Sequence, residues 1–332
     1  MEKTRKLSGN IAVAMVKNNI GIIGVLLLMV IVLSIVSPVF LTADNMITVL
    51  RQISNNVYLA LGMTLVMILA GIDLSVGSIV AMCGTLIVGF IVTNGFPIWL
   101  SILLGLTLGT LCGFIDGVIV AQFKVPAFIV TLAMMDIAKG VAYIYSGGLS
   151  TRIMDDSFTW IGTGYAFGFL PYPVLYMIVL IVIFIILLNK TKFGTYIYAI
   201  GGNREAARLS GVPIKRVEIA VFTISGFLAA FAGLVLCSRM FSGQPSVGEG
   251  YEMDAIAACV LGGVSMSGGT GRISGTIFGA MVIGIISNGL NLMDVSSFWQ
   301  LVVKGLIILV AVLIDAQKGK QNFISKRLQK SR

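Results

Sequence analysis

Histidine is absent from this 332-residue sequence, and charged residues are scarce at 11%. Four cysteines, Cys83, Cys112, Cys237 and Cys259, lie far apart in apolar stretches, and no CxxC pair occurs. A His/Cys metal site is therefore excluded, and the cysteines read as small residues packed inside helices. No GxxxxGK[ST] stretch occurs. GGTGRISG at 268–275 comes nearest but lacks the lysine that holds phosphates, so the chain does not hydrolyse ATP through a P-loop. Neither a cofactor nor a catalytic group is expected.

What fills the sequence instead is apolar: 57% hydrophobic residues and a mean hydropathy of +1.00. Soluble domains carry roughly 25% charged residues, so the chain reads as an all-α polytopic membrane protein. Its net charge of +9 does not point to nucleic acid. The basic residues crowd the N-terminus (Lys3, Arg5, Lys6, Lys17), the stretch 190–216, and the tail from Lys318 to Arg332. That distribution marks cytoplasmic segments, and no basic face with interleaved aromatics accompanies it. The first apolar run, from Ile20, is too long for a signal h-region and lacks a small-x-small cleavage pattern, so it reads as an uncleaved span.

A crossing needs about 20 apolar residues. Candidate spans lie near 20–37, 47–70, 76–93, 98–120, 127–145, 173–189, 217–237, 251–264, 273–290 and 298–315. If both termini and 190–216 are cytoplasmic, six spans precede that loop and four follow it, which closes the count at ten. The short eighth segment then crosses as part of a broken pair with its neighbour. Segments 146–172 and 239–253 fall outside, and the QFKVP turn at 122–126 falls inside. The organisation is a cytoplasmic N-terminus (1–19), a transmembrane domain (20–315) with a cytoplasmic loop (190–216), and a basic cytoplasmic tail (316–332). Many of the 39 glycines sit within spans at i, i+4 spacing, which lets helices approach closely.

Residues 68–95 and 260–289 form a weak parallel repeat. Each runs apolar, then Gly and Ser, then a Gly-spaced apolar helix ending in NG. Gly-interrupted spans at matching positions point to a transport pathway, because non-helical backbone is tolerated in lipid only where it is buried or lines a cavity. The candidates are Gly71, Asp73, Ser75 and Gly77 at the first break and Gly262, Gly263 and Ser265 at the second. Asp73 has three open roles: cap of the helix starting near Val76, contact to a substrate or ion, or part of a gate. Asn288, Asn291 and Gln300 offer hydrogen bonds to a polar solute at the outer ends of the last two spans. Asp136 and Lys139 stand at i, i+3 and pair on one helix face. Asp116 and Lys304 lack local partners and read as interhelical pairs or pathway residues.

In 190–216, Asn203 is positioned to cap a short helix, Arg204, Glu205, Ala206, Ala207 and Arg208 form it, and Gly211 stops it. Such a helix suits docking into a partner. Together, GIDLSVGS (71–78), AIGGNREAARLSG (199–211) and YEMDAIAACVLGGVSMSGGTGRISGT (251–276) resemble the permeases of bacterial ABC importers for monosaccharides, the ribose/galactose permease family, over residues 38–315. The resemblance implies ten spans, a location in the bacterial inner membrane, and a dimer of permeases or of permease and paralogue. It also implies a sugar-binding protein docking outside and an ATPase docking inside. The EAA---G pattern of import permeases maps onto Glu205, Ala206, Ala207 and Gly211. Two other classes stay open on the residues: an ion-coupled secondary transporter using Asp73 or Asp116, and an intramembrane aspartyl protease. The latter needs two facing carboxylates, and no GxGD-like setting surrounds either aspartate.

Overall fold

The computed structural model describes residues 20–310, 312 and 313. The segment 1–19 and the tail 316–332 lie outside the described residues. The chain is helical throughout: α1 (Ile20–Val36), α2 (Ala43–Ile68), α3 (Val76–Val92), α4 (Ile98–Phe123), α5 (Ala127–Ser146), α6 (Asp156–Thr163), α7 (Tyr172–Lys190), α8 (Lys192–Gly202), α9 (Arg204–Leu209), α10 (Ile214–Met240), α11 (Tyr251–Leu261) and α12 (Ile273–Leu292). A last helix, α13, covers Ser297–Val310. Among the described residues five helices, α4, α5, α7, α10 and α12, are long and apolar enough to cross a bilayer, and α1, α3 and α13 are shorter apolar helices.

At the centre stands α2, buried without interruption from Ile53 to Ile68. A helix apolar all round is a core helix. Around it pack α10, α11, α12 and α7. The tightest pairing is α4 against α10, and the sequence of α4 shows why. Its buried positions are Ser101, Gly105, Gly109, Gly113, Asp116, Gly117 and Ala121, while leucines and phenylalanines face outward. Glycines every fourth residue form a groove into which α10 settles. A methyl at Gly113 would collide with the Phe222 carbonyl, and one at Gly226 with the Gly109 carbonyl. In the same way Gly275 and Gly279 of α12 lie against the backbone of Gly262 and Ala258 at α11.

At one end of the bundle, two-residue strands β1 (Thr151–Arg152) and β4 (Ser242–Gly243) pair antiparallel, as do β2 (Tyr165–Ala166) and β3 (Leu170–Pro171). Asp155 caps α6 by accepting from the N–H groups of Ser157 (2.9 Å) and Phe158 (3.3 Å). Ser238 then ties α6 to α10, accepting from Gly162 N–H and donating to the Phe158 carbonyl, both at 2.8 Å.

Two segments are more structured than their composition suggests. Segment 239–253 packs on the bundle. From Ser242 to Gly250 it runs along α3 as the two strand residues of β4 followed by consecutive turns: a methyl on Gly243 would meet Thr85 and Gly84, and Gly248 lies against Gly77. The short helix α11 follows directly on this stretch, from Tyr251. Segment 190–216 is also more than a loop, because α8 precedes the short α9, with Thr191 accepting from Gly194 N–H at its start (3.2 Å).

Candidate functional site

The first break spans 69–75, after α2 ends. Ala70 adopts φ +61°, a left-handed conformation uncommon for a residue with a side chain. Its N–H reaches the Met67 carbonyl (2.9 Å), and Gly71 N–H reaches Val66 (3.0 Å), which turns the chain sharply. Asp73 follows, 1% exposed. One carboxylate oxygen accepts from Ser75 N–H (3.0 Å) and Ser75 Oγ (2.6 Å), and the other from Ser225 Oγ on α10 (2.7 Å). The cap assignment is thus corrected. No side chain caps the first turn of α3, and Asp73 instead folds its own turn and latches the break to α10.

Asp116, on α4, comes to the same place. Its Oδ2 lies 3.5 Å from Ser75 Oγ, and its Oδ1 has no hydrogen-bond partner. On the other side Thr131 of α5 accepts from Leu74 N–H (3.1 Å) and lies 3.2 Å from the Ile72 carbonyl. The break is therefore clasped by three helices, through groups that are all buried. Gly77 is required by close approach, since a methyl there would strike Glu252 Oε2 and the Gly248 carbonyl.

The second break, 262–272, meets the first directly. Gly269 N–H donates to the Ile68 carbonyl (2.8 Å), filling an acceptor that the end of α2 leaves open. Gly201, at the end of α8, sits on the same carbonyl so closely that a methyl would overlap it. Tyr198 Oη donates to the Gly271 carbonyl at 2.8 Å. Of the sequence candidates here, Gly262 packs on Gly275, Gly263 has φ +81° and is exposed, and Ser265 closes its own turn by accepting from Ser267 N–H (3.2 Å).

The short helix α9 stands beside this junction. Asn203 Oδ1 caps it by accepting from Ala206 N–H (2.9 Å), and Gly211 at φ +77° ends it. Ala207 is buried, whereas Glu205, Ala206, Arg208 and Leu209 are exposed. Glu205 and Arg208 pair with each other at 2.9 Å, and Leu209 is 80% exposed. Arg204 does not point away from the bundle but grips Glu218, a buried residue in the second turn of α10. Sequence reasoning missed Glu218; its one signal was an acid in an otherwise basic stretch. A cavity of about 700 Å3 next to α9 is rimmed by Lys124, Arg204, Arg208, Lys215 and Arg216.

The remaining candidates do not join this site. Asn288 exchanges hydrogen bonds with Asn45 of α2 (2.8 and 3.1 Å), and Gln300 donates to Asn291 (2.8 Å), so these amides serve one another. Lys304 pairs with Asp254 at the start of α11 (2.7 Å). Lys139 pairs with Glu249 (3.9 Å) rather than with Asp136, a correction to the expected i, i+3 pair. No group of histidines, cysteines and acids among the described residues is arranged to hold a metal.

The chain matches the family described as branched-chain amino acid transport system / permease component over residues 45–312. It is 46% identical to the ribose import permease protein of Haemophilus influenzae over 298 residues, covering 89% of this chain and 92% of that protein. The ribose import permease protein of Bacillus subtilis is 45% identical, with 89% and 91% covered. The L-arabinose transport system permease protein of Escherichia coli K12 is 43% identical, with 90% and 91% covered. No solved structure matches the chain.

Proposed function

The chain belongs to this family of transport-system permease components, and from that membership we propose that it is the membrane permease of an ATP-driven ABC importer for a monosaccharide. The observation that carries the reading is end-to-end likeness to importers of two aldopentoses, joined to an exposed helix, α9, that has no ATP site beside it in the same chain. A transport subunit without a P-loop draws its energy from a separate ATPase.

The ten-span arrangement follows from parity, with both termini and 190–216 on the cytoplasmic side of the plasma membrane. Its eighth crossing combines the non-helical segment 242–250 with α11. Residues 68–95 and 260–289, each a helix, a Gly-rich break and a helix, are the candidate parallel repeat. The ATPase would dock on Glu205, Ala206, Arg208 and Leu209. The basic rim around α9 suits an acidic partner surface. At the other end of the bundle, a concavity of about 650 Å3 lined by Arg152, Met154, Asp156, Phe241 and Gln244 suits the sugar-binding protein. A second permease copy or a paralogue completes the assembly.

The test is uptake of radiolabelled D-ribose, L-arabinose and D-galactose into proteoliposomes holding this chain with the ATPase and binding protein encoded beside it. Uptake needing all three components is expected. Uptake by this chain alone, collapsed by ionophores, would return Asp73 and Asp116 to the centre as ion ligands. In the same vesicles Glu205→Ala should leave ATP hydrolysis running while uptake falls.

A further inference from the structure

The outer arm of the eighth crossing encloses a recess that brings Gly77 together with Asp136 and Lys139. Between α3, α5 and residues 245–249 lies a cavity of about 150 Å3, lined by Ser78, Asp136, Lys139, Ser246, Glu249 and Glu252. Its depth follows from helix geometry. Lys139 stands twelve residues beyond the first residue of α5, about 18 Å along its axis at 1.5 Å per residue. In a hydrocarbon core about 30 Å thick, that is the interior of the bilayer. Yet the side chains of Lys139 and Glu249 are 42% and 77% exposed. An exposed charge at the depth of Lys139 is costly against lipid, which favours water beside the pair.

The surface of α5 divides accordingly. Leu132, Asp136, Lys139 and Tyr143 share one stripe at i, i+4, i+7 and i+11, and Ala133, Ile137, Val141 and Ile144 share another. The second stripe suits lipid. In the first, Asp136 and Lys139 line the recess beside residues 245–249, whose Glu249 reaches across to Lys139. That segment is itself informative. Non-helical backbone persists at membrane depth where it is buried or lines a water-filled cavity, and α11 begins beside it with two acids, Glu252 and Asp254, in its first turn.

We infer that this recess is a water-lined wall of the translocation pathway, where Asp136, Lys139, Glu249 and Glu252 meet the hydroxyl groups of the passing sugar. A neutral polyhydroxy solute both donates and accepts hydrogen bonds. Carboxylates take its hydroxyl protons, the ammonium supplies donors, and Ser78 and Ser246 do either. The loose Lys139–Glu249 pair, open to solvent, can exchange one partner for the sugar without stranding a buried charge. The inference rests on the importer reading, in which a second permease subunit closes the far side of the path.

The test uses single-cysteine variants in the complete importer, reconstituted in lipid and treated with a charged, membrane-impermeant thiosulfonate, with the wild type as background. Lys139→Cys and Asp136→Cys should react an order of magnitude faster than Ile137→Cys, which lies on the lipid stripe at the same depth. Equal, slow reaction at all three positions would overturn the wall. Lys139→Gln and Asp136→Asn should then cut ATP-driven uptake by roughly tenfold, the size of an ordinary coupling free energy, with ATPase assembly intact. Uptake at the wild-type rate in both would overturn the contact with sugar. The labelling needs no transported sugar, so fast labelling with no ATP-dependent uptake would fault the importer reading and leave the wall standing.

Discussion

Two buried carboxylates share Ser75, and their surroundings give them opposite tolerances. Asp73 accepts three hydrogen bonds, whereas Asp116 has one oxygen with no partner and the other 3.5 Å from a hydroxyl already donating to Asp73. Ser225→Ala removes one donor to the Asp73 carboxylate and should cost about 1–3 kcal/mol. Asp73→Asn replaces one accepting oxygen by an NH2 donor that faces other donors and should cost more. Asp116→Asn lifts the repulsion between neighbouring carboxylates and should leave stability and uptake unchanged or improved. Thermal unfolding of the three variants in one lipid environment decides the matter; a loss in Asp116→Asn as large as in Asp73→Asn would show that both carboxylates bear on the latch. Asp73 announced itself in the sequence, flanked by glycine in an apolar stretch. Its partner Ser225, 152 positions on, did not, because a serine in an apolar helix carries no local sign of what it faces.

At the scale of elements, α9 is held by Arg204 on Glu218 of α10, and α8 just before it by Gly201 on the Ile68 carbonyl, where Gly269 also arrives. Arg204 is thus tied to α10, and we propose that it positions the helix for the ATPase. Arg204→Glu should lower uptake without loosening the ATPase, since it takes the cation from the buried Glu218 carboxylate and sets a second acid against it. Adding Glu218→Arg should restore much of it. Loss of ATPase co-purification in Arg204→Glu, with no rescue by the double variant, would instead make Arg204 a docking residue. Gly201→Ala should uncouple hydrolysis from uptake, because its methyl has no space at the junction; uptake in step with hydrolysis would refute that role. The helices themselves were legible, since apolar runs and glycine punctuation set their ends within a few residues. The course of 242–250 along α3 was not. SGQPSVGEG has the composition of an exposed loop, and its burial comes from Gly77, Gly84 and Thr85 on a helix far away in sequence.

Over the whole molecule these contacts form one mechanical chain. Glu218 and Ser225 lie seven residues apart on the same face of α10, so the helix that receives Arg204 also holds Asp73. Ile68 joins the other side, linking α8 to both breaks. Between the two routes lies a cavity of about 280 Å3 bounded by Leu69, Ala70, Gly71, Arg204, Glu218 and Phe222, which gives the break room to shift. The strained Ala70 lies in its wall, a place where a backbone can switch between conformers at modest cost. A rigid α10 clasped to α4 along four glycines transmits displacement instead of absorbing it. If ATP binding draws the two α9 helices of a permease pair together, spin labels at Leu209→Cys should approach each other when a non-hydrolysable ATP analogue is added. In Ser225→Ala the labels should still approach, but uptake should fall, because the movement would reach α10 and no longer pull the break. A label distance that stays constant through the nucleotide cycle would mean that α9 is a fixed dock, and the drive would have to enter the bundle elsewhere.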